Sequence, residues 1–145
     1  MTRRLAFVLL AVVFATPALA HHGGGSFELN KTVSFPMARL TKMEFVNPAT
    51  GGPAMPTMGA YIQRLPTGFR GRPYRSTDGT VFSVIEGTGR VELGGETLEF
   101  AARDTFVVPS WQAYALQAGE DCVLFSFSDR PVQRALGLWR EEQLP

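Results

Sequence analysis

The sequence predicts an all-β fold, one antiparallel sandwich or barrel, and three observations lead there. Short runs rich in β-branched and aromatic residues recur at regular spacing over about 75 residues from Thr57 onward. Turn signals punctuate them, the clearest being Gly94-Gly95 between "GRVEL" and "ETLEF". No helical crossover separates the runs, which removes a parallel α/β sheet. At 145 residues the chain suffices for one compact core and is short for two.

Taken in order, "MTRRLAFVLLAVVFATPALA" carries Arg3 and Arg4, an apolar run from Leu5 to Ala15, a breaker at Pro17 and small residues at Ala18 and Ala20. This is the pattern of a secretory signal peptide over residues 1–20, cleaved after Ala20, and predicts an exported protein. The apolar run is well below the roughly 20 residues of a membrane-spanning helix, so no membrane anchor is expected after cleavage. Residues 21–56 read as an arm: "SFELNKTVSF" and "ARLTKMEFVNP" are strand-like, and the Gly- and Pro-rich "NPATGGPAMP" is a linker. Residues 57–130 supply the barrel. "MGAYIQRLP" alternates, "TVFSVIEG" is strongly β-prone, "GRVELGGETLEF" is a hairpin, and "DTFVVPS", "QAYALQAG" and "DCVLFSFSD" complete the set. In residues 131–145, Val132, Ala135, Leu136 and Trp139 fall at i, i+3, i+4 and i+7 behind a first-turn proline, which predicts a short C-terminal helix with one apolar face capping the barrel.

Composition narrows the function. Charged residues make up 19% and the formal net charge is +1, so nothing favours a nucleic-acid partner. The one cysteine, Cys122, forms no internal disulfide and is expected to be a small buried hydrophobe. Phe82, Phe106, Phe125 and Phe127 are expected in the core. Arg130, Arg134 and Arg140 are expected to be solvated or paired with Glu141 and Glu142.

Two stretches resemble the two cupin motifs: "YRSTDGTVFSVIEGTGRVELGG" has the strand, Gly-x-Gly turn and strand of the first, and "DTFVVPSWQAY" the Asp, Pro and Trp placement of the second. "FVVPSW" and "LFSFSDRPVQRALGLWREE" more specifically resemble the C-terminal cupin half of gentisate 1,2-dioxygenase, over roughly Phe45 to Glu142. The resemblance implies a cupin-like jelly-roll barrel and the setting of aromatic catabolism, where Fe(II) and O2 cleave gentisate to maleylpyruvate in a two-cupin oxidoreductase. The family's iron sits on three histidines of its other cupin half, which leave open positions for O2 and substrate.

By that resemblance the metal-ligand positions fall on Tyr74, Ser76, Thr80 and Tyr114, none of them a histidine or carboxylate. The chain has two histidines, His21 and His22, outside the barrel. A three-histidine iron site cannot be assembled in one subunit, so no cofactor is expected and no residue is assigned a catalytic role. Autonomous dioxygenase activity is not expected. Arg64, Arg75, Trp111 and Tyr114 are candidates to line the vacated mouth and hold a small aromatic acid; the alternative is that the rings of Trp111 and Tyr114 fill the space of a metal. Cleavage after Ala20 would place His21 at the new N-terminus, where its amine and imidazole with His22 form a nitrogen set suited to copper(II). The second functional expectation is an exported small-molecule-binding cupin without catalysis. A lone cupin half would expose apolar surface, so a homodimer is expected.

Overall fold

A computed structural model describes residues 28–34, as backbone only, and 41–145. The expected signal peptide and the His21-His22 pair lie outside the described residues. The described chain is mostly strand, in two antiparallel sheets with one short helix. The six-stranded sheet has the order β1-β2-β3-β10-β5-β8, from β1 (Glu28–Ser34), β2 (Thr41–Val46), β3 (Gly59–Leu65), β5 (Thr80–Glu86), β8 (Thr105–Val108) and β10 (Cys122–Ser128). The five-stranded sheet runs β11-β4-β9-β6-β7, from β4 (Tyr74–Ser76), β6 (Gly89–Leu93), β7 (Glu96–Phe100), β9 (Tyr114–Ala118) and β11 (Glu141–Gln143). Both strand-like runs of the N-terminal arm join the six-stranded sheet, with Met43 opposite Ile62 and Glu44 opposite Tyr61.

Period-two alternation sets the interior. Gly59, Tyr61, Gln63 and Leu65 of β3, Thr80, Phe82 and Val84 of β5, and Cys122, Leu124, Ser126 and Ser128 of β10 are buried. Opposite them, Val91, Phe100, Leu116 and Ala118 close the apolar core. Phe82, Phe106 and Phe100 form a continuous stack, with centroids 5.0 and 5.3 Å apart. Two of the four expected core phenylalanines lie elsewhere. With Leu124 and Ser126 inward, the pleat turns Phe125 and Phe127 to the outer face, where Phe125 meets Phe45 edge-on at 6.0 Å. Cys122 is buried as expected, and burial pushes its thiol up to about 11.

Local backbone chemistry makes the tight turns. Gly94 and Gly95, at φ 61° and 89°, join Leu93 to its partner Glu96, the two-residue hairpin that requires positive φ at both positions. Gly87, at φ 82°, ends β5 where any Cβ would overlap the Asp121 carbonyl oxygen.

The C-terminal segment departs from expectation. Helix α1 covers only Arg130–Ala135, and Gly137 at φ 69° turns the chain away. Trp139 therefore leaves the predicted helical face and Leu136 is 65% exposed; the residues beyond form β11, with Glu141 opposite Ser76 and Gln143 opposite Tyr74. Tertiary pairing with β4 wins over helical periodicity here.

Candidate functional site

The interior changes character along the barrel. At the Leu65–Cys122 end it is apolar; toward the Gly59–Ser128 end it becomes polar, with Gln63, Ser76, Asp78, Thr80, Ser126 and Ser128 all buried and Tyr61 at 6% exposure among them. Antiparallel registry builds this end: β3, β10 and β5 run side by side, so Tyr61, Ser126 and Phe82 are laid in one row.

The four positions where resemblance places metal ligands do come together. Tyr74 and Tyr114 are direct cross-strand partners, with rings edge to face at 5.9 Å, and Tyr114 also leans on Phe82 at 5.8 Å. Ser76 follows two residues along β4 and is buried, and the Thr80 hydroxyl donates to Asp78 at 3.4 Å. This donor set does not fit Fe(II). Burial pushes the Tyr74 phenol up to about 12, and burial with Tyr74 alongside raises Tyr114 further, so both are neutral phenols and poor ligands for a divalent ion. Among the described residues no three His, Cys, Asp or Glu side chains converge.

A network that sequence reasoning missed dominates this end. Asp78, with its side chain fully buried, accepts the Trp139 indole N–H at 2.9 Å and the Arg130 guanidinium at 3.3 and 3.4 Å. Burial pushes the Asp78 carboxyl up, but Arg130 together with hydrogen bonds from Ser76, Trp139 and Ser128 outweighs it and holds the group below the usual carboxylate range. Arg130 also donates to the Tyr74 hydroxyl at 3.3 Å and lies 5.8 Å from the Tyr61 ring centre. Its partner is therefore Asp78, 52 residues away, and not Glu141 or Glu142. Those two serve β4: Glu141 accepts from the Tyr74 hydroxyl at 2.8 Å and Glu142 from Arg75 Nε at 2.8 Å. Arg134 stacks on Trp139 at 4.3 Å, and Arg140 donates to the carbonyls of Gly137 and Trp139. The only sequence sign of this network is a set of residues separated by most of the domain.

The four candidate substrate residues divide. Arg75 sits 4.6 Å over the Trp111 ring on the outside of β4, and Trp111, 41% exposed, holds φ 60° while its N–H donates to Ser76 at 2.7 Å. A positive φ at a bulky residue is strained, and the surrounding contacts hold it. Tyr114 faces the interior. Arg64 belongs to neither group: it is tied to Asp121 at the apolar end of the barrel, where Thr67 also bonds that carboxylate. A residue not anticipated from the sequence, Lys42, joins the polar end, its Nζ 4.6 Å from the Tyr61 ring centre. At the opposite end a surface cleft of about 340 Å³ is lined by Arg70, Arg90, Glu99 and Gln117.

Comparisons with known proteins agree with this architecture. No family model matches the chain. It is 53% identical over 102 residues to gentisate 1,2 dioxygenase 1 of Aquipseudomonas alcaligenes, an alignment covering 70% of this chain and 29% of that protein. The salicylate 1,2-dioxygenase of Pseudoaminobacter salicylatoxidans, solved as an adduct with gentisate, superposes with a TM-score of 0.73 at 38% identity, covering 78% of this chain and 30% of that one. The cupin domain of Schizosaccharomyces pombe Cnp3 shares the fold alone, with a TM-score of 0.57 at 16% identity over 70% of this chain and 73% of that one. The chain thus spans under a third of the length of the dioxygenases it matches. Its described region is a cupin domain similar to gentisate and salicylate 1,2-dioxygenases.

Proposed function

We propose that this cupin domain binds a small aromatic acid, holds no iron and cleaves no ring by itself. One observation carries the reading: neutral phenols, Tyr74 and Tyr114, occupy two positions where resemblance places imidazoles, packed edge to face at 5.9 Å. The similar salicylate 1,2-dioxygenase is a gentisate adduct, and gentisate is accordingly the first ligand to test. In this reading the polar end of the barrel supports substrate while aromatic ring cleavage needs histidines supplied from elsewhere.

Anaerobic reconstitution of the full chain with Fe(II), followed by metal quantification and a gentisate ring-cleavage assay, tests it. Sub-stoichiometric iron and no maleylpyruvate absorbance are expected. One iron per chain with turnover refutes it.

A second reading, an exported binding module, is favoured by the N-terminal sequence pattern with its small residues at Ala18 and Ala20. Expression with its own N-terminus and mass analysis of the exported fraction tests it, a chain beginning at His21 being expected. In the same reading His21 and His22 take copper(II), tested by copper titration of the exported chain and of a variant lacking both. Self-association is also proposed, because Ile85 and Val107 are 56% and 54% exposed on the outer face that carries Phe125 and Phe127. Light scattering at micromolar concentration should return a dimer mass; a monomer mass refutes it.

A further inference from the structure

We propose that Lys42, the Nη1 edge of Arg130 and the Ser126 hydroxyl, gathered around the Tyr61 ring, form the subsite that receives the carboxylate of a small organic acid. This rests on the reading above and gives the ligand an address inside the barrel, away from Arg75 and Trp111.

Lys42 is a charge with no anion at ion-pair distance among the described residues. Its strand position lies opposite buried Gln63, so it points to the interior face, where its Nζ lies over the Tyr61 ring. The ion pairs among the described residues are Arg64–Asp121, Arg75–Glu142 and Arg130–Asp78, and none includes Lys42. Asp78, Glu44 and Glu141 act on it only from beyond ion-pair distance, which leaves a half-buried cation stacked on a ring with room for a closer counter-ion. Arg130 is near enough to repel it and has Nη1 to spare, since Nε and Nη2 are taken by Asp78 and Tyr74.

The carboxylates in the neighbourhood are otherwise engaged or out of reach. Asp78 is held by Arg130 and Trp139, and Glu141 accepts from Tyr74. Glu44, opposite Tyr61, makes no ion pair with Lys42. Ser126 supplies an independent pointer to a ligand. It is 0% exposed, stands directly opposite Tyr61, and its hydroxyl is the one buried side-chain polar atom without a hydrogen-bond partner among the described residues. Burial, with Arg130 nearby, pushes the Lys42 ammonium down to about 8, and an arriving carboxylate would push it back up.

Amine labelling with acetic anhydride and peptide mass spectrometry reads Lys42 against an added lysine-containing reference peptide. Near pH 8, millimolar gentisate or propionate should slow Lys42 acetylation about tenfold with the reference peptide unchanged, and neutral hydroquinone should not. By calorimetry, Lys42→Met and Ser126→Ala should each weaken gentisate binding about fivefold or more. Gentisate binding that neither slows Lys42 labelling nor weakens in Lys42→Met overturns the subsite and leaves the aromatic-acid reading standing. Protection by propionate without gentisate binding supports the subsite and refutes the aromatic-acid reading. No protection by either acid overturns the subsite. Should Lys42→Met fail to fold, labelling of the unaltered chain still decides.

Discussion

Asp78→Ala should undock the C-terminal segment from the barrel. The lost carboxylate has a fully buried side chain, and Arg130 facing it is 14% exposed, so the substitution strands a guanidinium in a site with little water. Breaking a buried pair by removing one partner costs about 3–5 kcal/mol. The Trp139 indole bond at 2.9 Å is lost with it, adding roughly 1 kcal/mol. At roughly 4 °C per kcal/mol for a domain of this size, the melting temperature should fall by roughly 16–24 °C. Thermal unfolding by circular dichroism measures this, and fluorescence in a Trp111→Phe background leaves Trp139 as the single indole to report its own exposure. The paired change Asp78→Leu with Arg130→Met removes both charges and should cost much less than Asp78→Ala alone. A fall under about 3 °C in the single variant, or a double variant worse than the single, would refute the view that this buried charge pair holds the segment.

Other outcomes follow from the same geometry. Because Asp78 is held below its ordinary range, the unfolded chain binds the proton first on acidification; stability conferred by Asp78 is complete above the usual carboxylate range and lost as pH falls through the folded value, and a urea midpoint series should show a steeper acid slope in the parent than in Asp78→Asn, where Asp121 still contributes. Lys42 gives the opposite window. Folded it loses its proton near pH 8 and unfolded near 10.5, so the unfolded chain holds more protons between them and stability rises with pH there, a contribution that Lys42→Met should abolish. Gly87→Ala meets both a positive φ and the Asp121 carbonyl, and should destabilise by about 3 kcal/mol or more in urea unfolding, against about 1–2 kcal/mol for Gly95→Ala, which has positive φ but open space.

Much of the barrel was legible because its signals are local. Alternation in "TVFSVIEG", the Gly94-Gly95 turn and the run "DCVLFSFSD" each specify a strand or hairpin through neighbours one or two residues apart, and the structure places β5, the β6–β7 hairpin and β10 there. Alternation does not say which of two apolar faces is the inner one: on β10, Leu124 and Phe125 are both hydrophobic, and only packing against the second sheet put Leu124 inside and Phe125 out. The tyrosines at the ligand positions were identifiable by resemblance, yet their edge-to-face packing required β4 to lie beside β9. Trp139 shows the same limit most directly. Its spacing from Val132 matches a helical face, but Asp78, 61 residues earlier, offers a buried acceptor for its N–H, and Gly137 lets the chain turn toward it. Sequence by itself determined the strands, their turns and the absence of histidines from the barrel. Tertiary structure decided the inner face, the end of the helix and the grouping of Lys42, Tyr61, Ser126 and Arg130, because each depends on burial and pairing between residues that only the closed barrel brings together.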